Sequence, residues 1–142
     1  MNRARSEAVY VLIGVLFIGG CSTSATPKST QTGKIYDIKI GDSINPKLLE
    51  VRPGDEVRWV NGRGSPIKIV FIDDLKDRIS CENGFVNGMF SWAARNLNVT
   101  TVKANHYASL CFLSPGRYRY TARMEAPVPG GEKNESGSVL VD

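Results

Sequence analysis

The chain has 142 residues, with 18 Lys+Arg against 14 Asp+Glu for a formal net charge of +4, three cysteines, and one histidine at His106. That length holds one compact domain and excludes a two-domain enzyme. A single imidazole also excludes zinc sites with two or three histidines, di-metal histidine clusters and the usual two-histidine type 1 copper site.

The N-terminal stretch opens with Arg3 and Arg5, runs apolar from Ala8 to Ile18 and closes on Gly19-Gly20-Cys21. A basic start followed by an apolar core of this length predicts an export signal, because a spanning helix needs about 20 apolar residues. Ile18-Gly19-Gly20-Cys21 resembles a bacterial lipobox. The resemblance implies that residues 1–20 are removed and that the thiol of Cys21 is acylated, anchoring the protein in a lipid bilayer, each buried acyl CH₂ contributing about 0.8 kcal/mol. The alternative is an ordinary signal or an uncleaved anchor with an incidental cysteine. Ser22 after that cysteine resembles the outer-membrane sorting pattern, which places the protein on the periplasmic side of the outer membrane if the envelope is Gram-negative.

Residues 21–33 are rich in Ser and Thr and nearly free of apolar side chains, the composition of a flexible tether. The folded domain is expected over residues 34–142. Without Arg3, Arg5 and Glu7 the charge falls to +3. The remaining cations are dispersed, so no nucleic-acid partner is expected, and Arg117, Arg119 and Arg123 read as a solvated strand face.

From Lys34 onward the pattern is that of short strands. Ile35–Ile40 is rich in β-branched residues, Asp55–Val60 alternates Val57 and Trp59 with Glu56 and Arg58, and Ile67–Ile72 is nearly continuous apolar. Further strands are expected at Val99–Ala104, Ser109–Leu113, Arg117–Arg123 and Ser138–Val141, separated by turn pairs such as Pro53-Gly54 and Pro115-Gly116. Seven or eight such strands predict an all-β sandwich. Helical turns are expected only within Asp73–Asn98, at Asp73–Arg78 or Trp92–Leu97. In Arg117–Arg123 the period of two puts Tyr118, Tyr120 and Ala122 on one face and the arginines on the other.

The segment Asp73–Asn98 is long for a connection between strands. Its Phe85, Met89, Phe90 and Trp92 are expected to cap one end of the core, the other reading being a surface offered to a partner. Asp73, Asp74 and Asp77 lack the spacing of a calcium loop and read as a charged turn. With Cys21 acylated, Cys81 and Cys111 form an even pair in an exported chain, and a structural disulfide is expected to tie this insertion to the Ser109–Leu113 strand.

Four fragments in order carry a resemblance to a known family. Val51-x-Pro53-Gly54-Asp55-x-Val57-x-Trp59-x-Asn61 is followed by Ser65-Pro66-Ile67-x-Ile69-x-Phe71. Phe112-x-x-Pro115-Gly116-x-Tyr118-x-Tyr120 and Gly137-x-Val139-x-Val141 come next. Together they resemble the cupredoxins over about Lys34 to Asp142, which implies a Greek-key β-sandwich. Members that bind type 1 copper place a first histidine just after the proline of the second fragment and a cysteine at the end of the Tyr-x-Tyr strand, with a second histidine and usually a methionine in the next loop. In this chain those positions hold Ile67 and Ala122, and the segment Arg123–Ser136 offers Met124 but no histidine. A cupric site needs the thiolate and both imidazoles, and a thioether is only a weak axial ligand. The carry-over therefore argues against a type 1 copper carrier, and no cofactor is expected.

The alternative is copper in a non-standard site. His106, Met89, Met124, Cys81 and Cys111 are the ligand types present, with His106 and Met124 the candidates, although His106 reads as a solvent-facing turn residue and the methionines as core filling. No nucleophile elbow, phosphate loop or metalloprotease motif occurs, so no enzyme is expected. The residues lead to a membrane-anchored envelope lipoprotein whose cupredoxin-like domain binds an unidentified envelope protein or small ligand.

Overall fold

Period-two alternation is realised as ten strands among the residues that the computed structural model describes, 32–85 and 98–142. They are β1 Ile35–Ile40, β2 Ile44–Asn45, β3 Leu48–Val51, β4 Glu56–Asn61, β5 Ile67–Phe71, β6 Ile79–Asn83, β7 Val99–Val102, β8 Tyr107–Phe112, β9 Gly116–Glu125 and β10 Glu132–Val141. Two five-stranded sheets form, ordered β2-β1-β4-β8-β6 and β3-β10-β9-β5-β7. The pairs β1–β4 and β3–β10 are parallel, and the other pairings are antiparallel. Parallel neighbours require the chain to cross between sheets before returning.

The inner faces meet around Trp59, which is fully buried. Its ring stands edge-on to Phe71, Phe85 and Tyr120 at centroid distances of 5.4, 5.7 and 5.6 Å. Such T-shaped pairs each add about 0.5–1.5 kcal/mol beyond burial of area. In β9 the alternation holds as expected, with Tyr118, Tyr120 and Ala122 buried and Arg117, Arg119 and Arg123 exposed. The turn before β4 is tight. Gly54 takes φ 90°, a left-handed conformation cheap only for glycine, and the Asp55 N–H donates to Arg52 O at 3.1 Å. The buried Asp55 carboxylate closes this turn by accepting from the Arg52 N–H at 2.9 Å and from the Thr32 hydroxyl. Among the described residues, hydrogen bonds to the sandwich already include Thr32, two residues ahead of Lys34.

Three strands were not expected from the sequence. β2 and β3 are too short to show a period, and β6 carries only Ile79 and Cys81 among polar neighbours, so it lacks a readable apolar face. Pairing with β8 makes it a strand nonetheless, with Cys81 directly opposite Cys111. These cysteines form the expected disulfide, their Cα atoms 4.9 Å apart. The insertion is thus partly sheet, and its disulfide joins neighbouring strands rather than pinning an irregular loop. Asp73–Arg78 forms a turn and no helix; Asp73 is drawn to Arg119 of β9 at 2.7 Å. Phe85 is fully buried against Trp59 and Phe71, in keeping with a core cap. Trp92–Leu97 and the side chains of Met89, Phe90 and Trp92 lie outside the described residues, as does Cys21.

Candidate functional site

One end of the sandwich gathers the turn after β1, the β4–β5 connection, the β7–β8 turn and the end of β9. Asn61, the last residue of β4, organises it. Its buried side-chain amide donates to Ser65 O at 2.9 Å and to Val102 O and Lys103 O at 3.1 Å each, while its Oδ1 accepts the Arg63 N–H at 2.9 Å. A buried amide that satisfies carbonyls from two connections fixes both loops to the strand.

Arg63 extends the same framework. Its Nη1 donates to Gly41 O at 3.0 Å and its Nη2 to Glu125 O at 2.7 Å, with Asp42 at 3.5 Å completing an ion pair. Its Nε is buried with no hydrogen-bond partner. The guanidinium thereby joins the first sheet to the end of β9 in the second. Lys133 of β10 donates to Asp42 O and pairs with Glu135 at 2.9 Å. Glu135 Oε2 accepts the Ile44 N–H at 2.9 Å. That backbone bond, with Lys133, holds the Glu135 carboxyl below its usual range.

The positions that the resemblance assigns to copper ligands lie in this region. Ile67 opens β5 and is 1% exposed, Ala122 is fully buried, and Met124 is 1% exposed. The segment after Ala122 continues as strand, since Arg123, Met124 and Glu125 pair with Asn134, Lys133 and Glu132 of β10. The hairpin closes through Ala126 N–H to Gly131 O and Gly131 N–H to Val128 O, both at 2.9 Å. Ile67 and Ala122 present hydrocarbon with no lone pair, and the thioether of Met124 has neither imidazole nor thiolate beside it among the lining residues. The donor set does not fit a type 1 copper.

His106 is exposed in the β7–β8 turn beside Asn105, whose φ is 58°, and its carbonyl accepts the Asn61 N–H at 2.9 Å. Met124 is buried in the other sheet and lines a depression. His106 is not among the residues that line that depression. Cys81 and Cys111 are consumed by their disulfide. Among the described residues no three His, Cys, Asp or Glu side chains gather as a metal-holding group.

Two hollows flank the β4–β5 connection. One, of about 490 Å³, is lined by Gly41, Asp42, Gly62, Arg63, Gly64 and Ser65. The other, of about 440 Å³, runs from Pro66 and Ile67 past Met124 to the Gly130-Gly131 turn, with Lys68, Thr101, Arg123, Glu125 and Glu132 around it. Both fall in the size range of small-molecule sites. The sequence reading missed Arg63 and the Lys68–Arg123 pair. A charged residue between two glycines in a short connection was the available signal for Arg63; the charge pair depends on strand register and left no sequence signal.

Two five-stranded sheets packed around an aromatic core, with loops gathered at one end, define an all-β sandwich domain. Among solved structures the chain is similar to a Cu(I) form of an amicyanin mutant, at 20% identity and TM-score 0.48, covering 76% of this chain and 82% of that one. It is also similar to a reduced amicyanin mutant at 18% identity and TM-score 0.49, covering 78% and 84%. A Cu(I) form of a further amicyanin mutant at pH 4 matches at 20% identity and TM-score 0.48, covering 78% and 83%. No family model matches the chain.

Proposed function

We propose that this chain is an exported lipoprotein, anchored to the cell envelope through acylated Cys21, whose sandwich serves as a non-enzymatic binding module without type 1 copper. The observation that carries the reading is hydrocarbon packing at Ile67 and Ala122. These two side chains are buried in the core where an imidazole and a thiolate would be needed. The continuous β9–β10 hairpin supports it further, since strand pairing occupies the stretch that would otherwise open as a ligand loop. The framework of Asn61 and Arg63 holds this end in one geometry, which suits a preformed binding surface.

Two measurements test the reading. Adding Cu(II) to the full-length protein purified in detergent leaves the visible spectrum without a thiolate-to-copper band, whereas an intense blue band defeats the copper-free part. Cells fed radiolabelled palmitate incorporate label into the protein and not into its Cys21→Ser variant; an unlabelled parent defeats the lipid anchor.

A further inference from the structure

We propose that the 440 Å³ hollow beside Met124 binds a small zwitterion whose charged ends lie about 7 Å apart, an ω-amino acid or the two termini of a short peptide. The inference deepens the binding-module reading and rests on it. Strand register carries the argument. Lys68 of β5 stands directly opposite Arg123 of β9, and Glu125 of β9 stands directly opposite Glu132 of β10. All four side chains are exposed.

Like charges placed directly across antiparallel strands oppose sheet formation, and here two such pairs stand side by side. Exchanging one cation for one carboxylate would turn both repulsions into attractions, yet no ion pair joins the four among the described residues. A ligand of one sign would relieve only one pair. A ligand with both signs relieves both at once, its carboxylate between Lys68 and Arg123 and its ammonium between Glu125 and Glu132. The guanidinium fork of Arg123 suits a carboxylate, and Thr101, directly opposite Lys68 on β7, adds a hydroxyl to the cationic end. Arg123 and Glu125 are two residues apart on one strand, which sets the separation of the charged ends at about 7 Å.

The hollow supplies the rest. Pro66, exposed just ahead of β5, offers apolar surface for the methylenes between the charges, and Gly130 and Gly131 let the turn approach closely. A side chain at Gly131 would crowd the turn, since a Cβ there would stand 2.6 Å from Val128 Cγ2, 3.0 Å from the Ala126 Cβ and 3.1 Å from Val128 O. Arg63, bonded to Glu125 O, fixes the end of β9 and with it the anionic half of the site.

Calorimetric titration of the full-length protein in detergent tests this with 5-aminopentanoate and glycylglycine as zwitterions and with pentanoate and pentylamine as singly charged controls. Both zwitterions are expected to bind at least about tenfold more tightly than either control, and Lys68→Ala and Glu132→Gln each to weaken them by about tenfold. Tighter binding of glycylglycine assigns the site to peptide termini and tighter binding of 5-aminopentanoate to free amino acids, and either upholds the proposal. Absence of zwitterion binding at millimolar concentration, equal binding of the controls, or variants that bind as the parent does would overturn it. Copper content measured on the same samples separates the two readings. Stoichiometric copper with zwitterion binding intact defeats the copper-free reading alone, and a copper-free protein that binds no zwitterion defeats this inference alone.

Discussion

Tyr120 concentrates several constraints in one side chain. Its ring lies across Gly137 of β10, its register partner, and a Cβ at position 137 would stand 2.5 Å from Tyr120 Cζ and closer still to its hydroxyl. Gly137→Ala is therefore expected to destabilise the fold by about 1–3 kcal/mol in urea unfolding, as overpacked cores do. Burial also pushes the Tyr120 phenol up to about 12, opposed only by the neighbouring Trp59 indole, which approaches without hydrogen-bond geometry. The unfolded chain ionises this phenol near 10, so the stability it contributes is complete below that pH and is lost as pH rises toward 12. The loss approaches about 2–3 kcal/mol. Alkaline unfolding followed by circular dichroism should coincide with appearance of the last tyrosinate absorbance, and the Tyr120→Phe variant should lose less stability over that range. Asn61 is the polar counterpart. Removing its side chain in Asn61→Ala orphans Ser65 O, Val102 O and Lys103 O, at an expected cost of about 2–3 kcal/mol.

Among the elements, β6 shows most clearly what sequence periodicity can and cannot convey. β1, β4, β5 and β9 were legible because each presents apolar residues at every second position to a buried face. β6 has two apolar residues in five and lies at a sheet edge, where one neighbour and a disulfide suffice to hold it. The cysteine pair was legible from parity and export, but its placement between adjacent strands was not, since that depends on register. Closing a loop of 30 residues in sequence separation is worth roughly 3–4 kcal/mol in the chain-entropy account. The Cys81→Ala/Cys111→Ala double variant should show that loss in denaturant unfolding, and a change well under 1 kcal/mol would contradict it. The ties between elements also respond to acid. The Glu135 carboxyl sits below its ordinary 4.5 because of the Ile44 N–H and Lys133. The unfolded chain takes up that proton first, so the tie is at full strength above about 4.5 and is lost as pH falls through the folded value. Glu135→Gln should flatten the acid limb of the stability profile; an unchanged slope would show that this carboxylate is not a source of the acid sensitivity.

For the whole molecule, the all-β sandwich was legible because turn signals and apolar alternation agree along most of its length. The end that carries the candidate site was legible only in part. Ile67 and Ala122 could be placed by motif, and Asn61 stood within one. Arg63, by contrast, acts through backbone carbonyls of Gly41 and Glu125, residues distant in sequence that only the assembled sheets bring to it. The charge rows at Lys68, Arg123, Glu125 and Glu132 likewise exist only once β5, β9 and β10 are in register. The proposed reading is that hydrocarbon at Ile67 and Ala122 leaves this end of the sandwich without a type 1 copper site and free to serve as a binding surface. Metal analysis of the full-length protein extracted from envelopes of copper-fed cells tests it most directly. The account predicts copper far below one atom per chain; a stoichiometric content, close to one atom per chain, would contradict it.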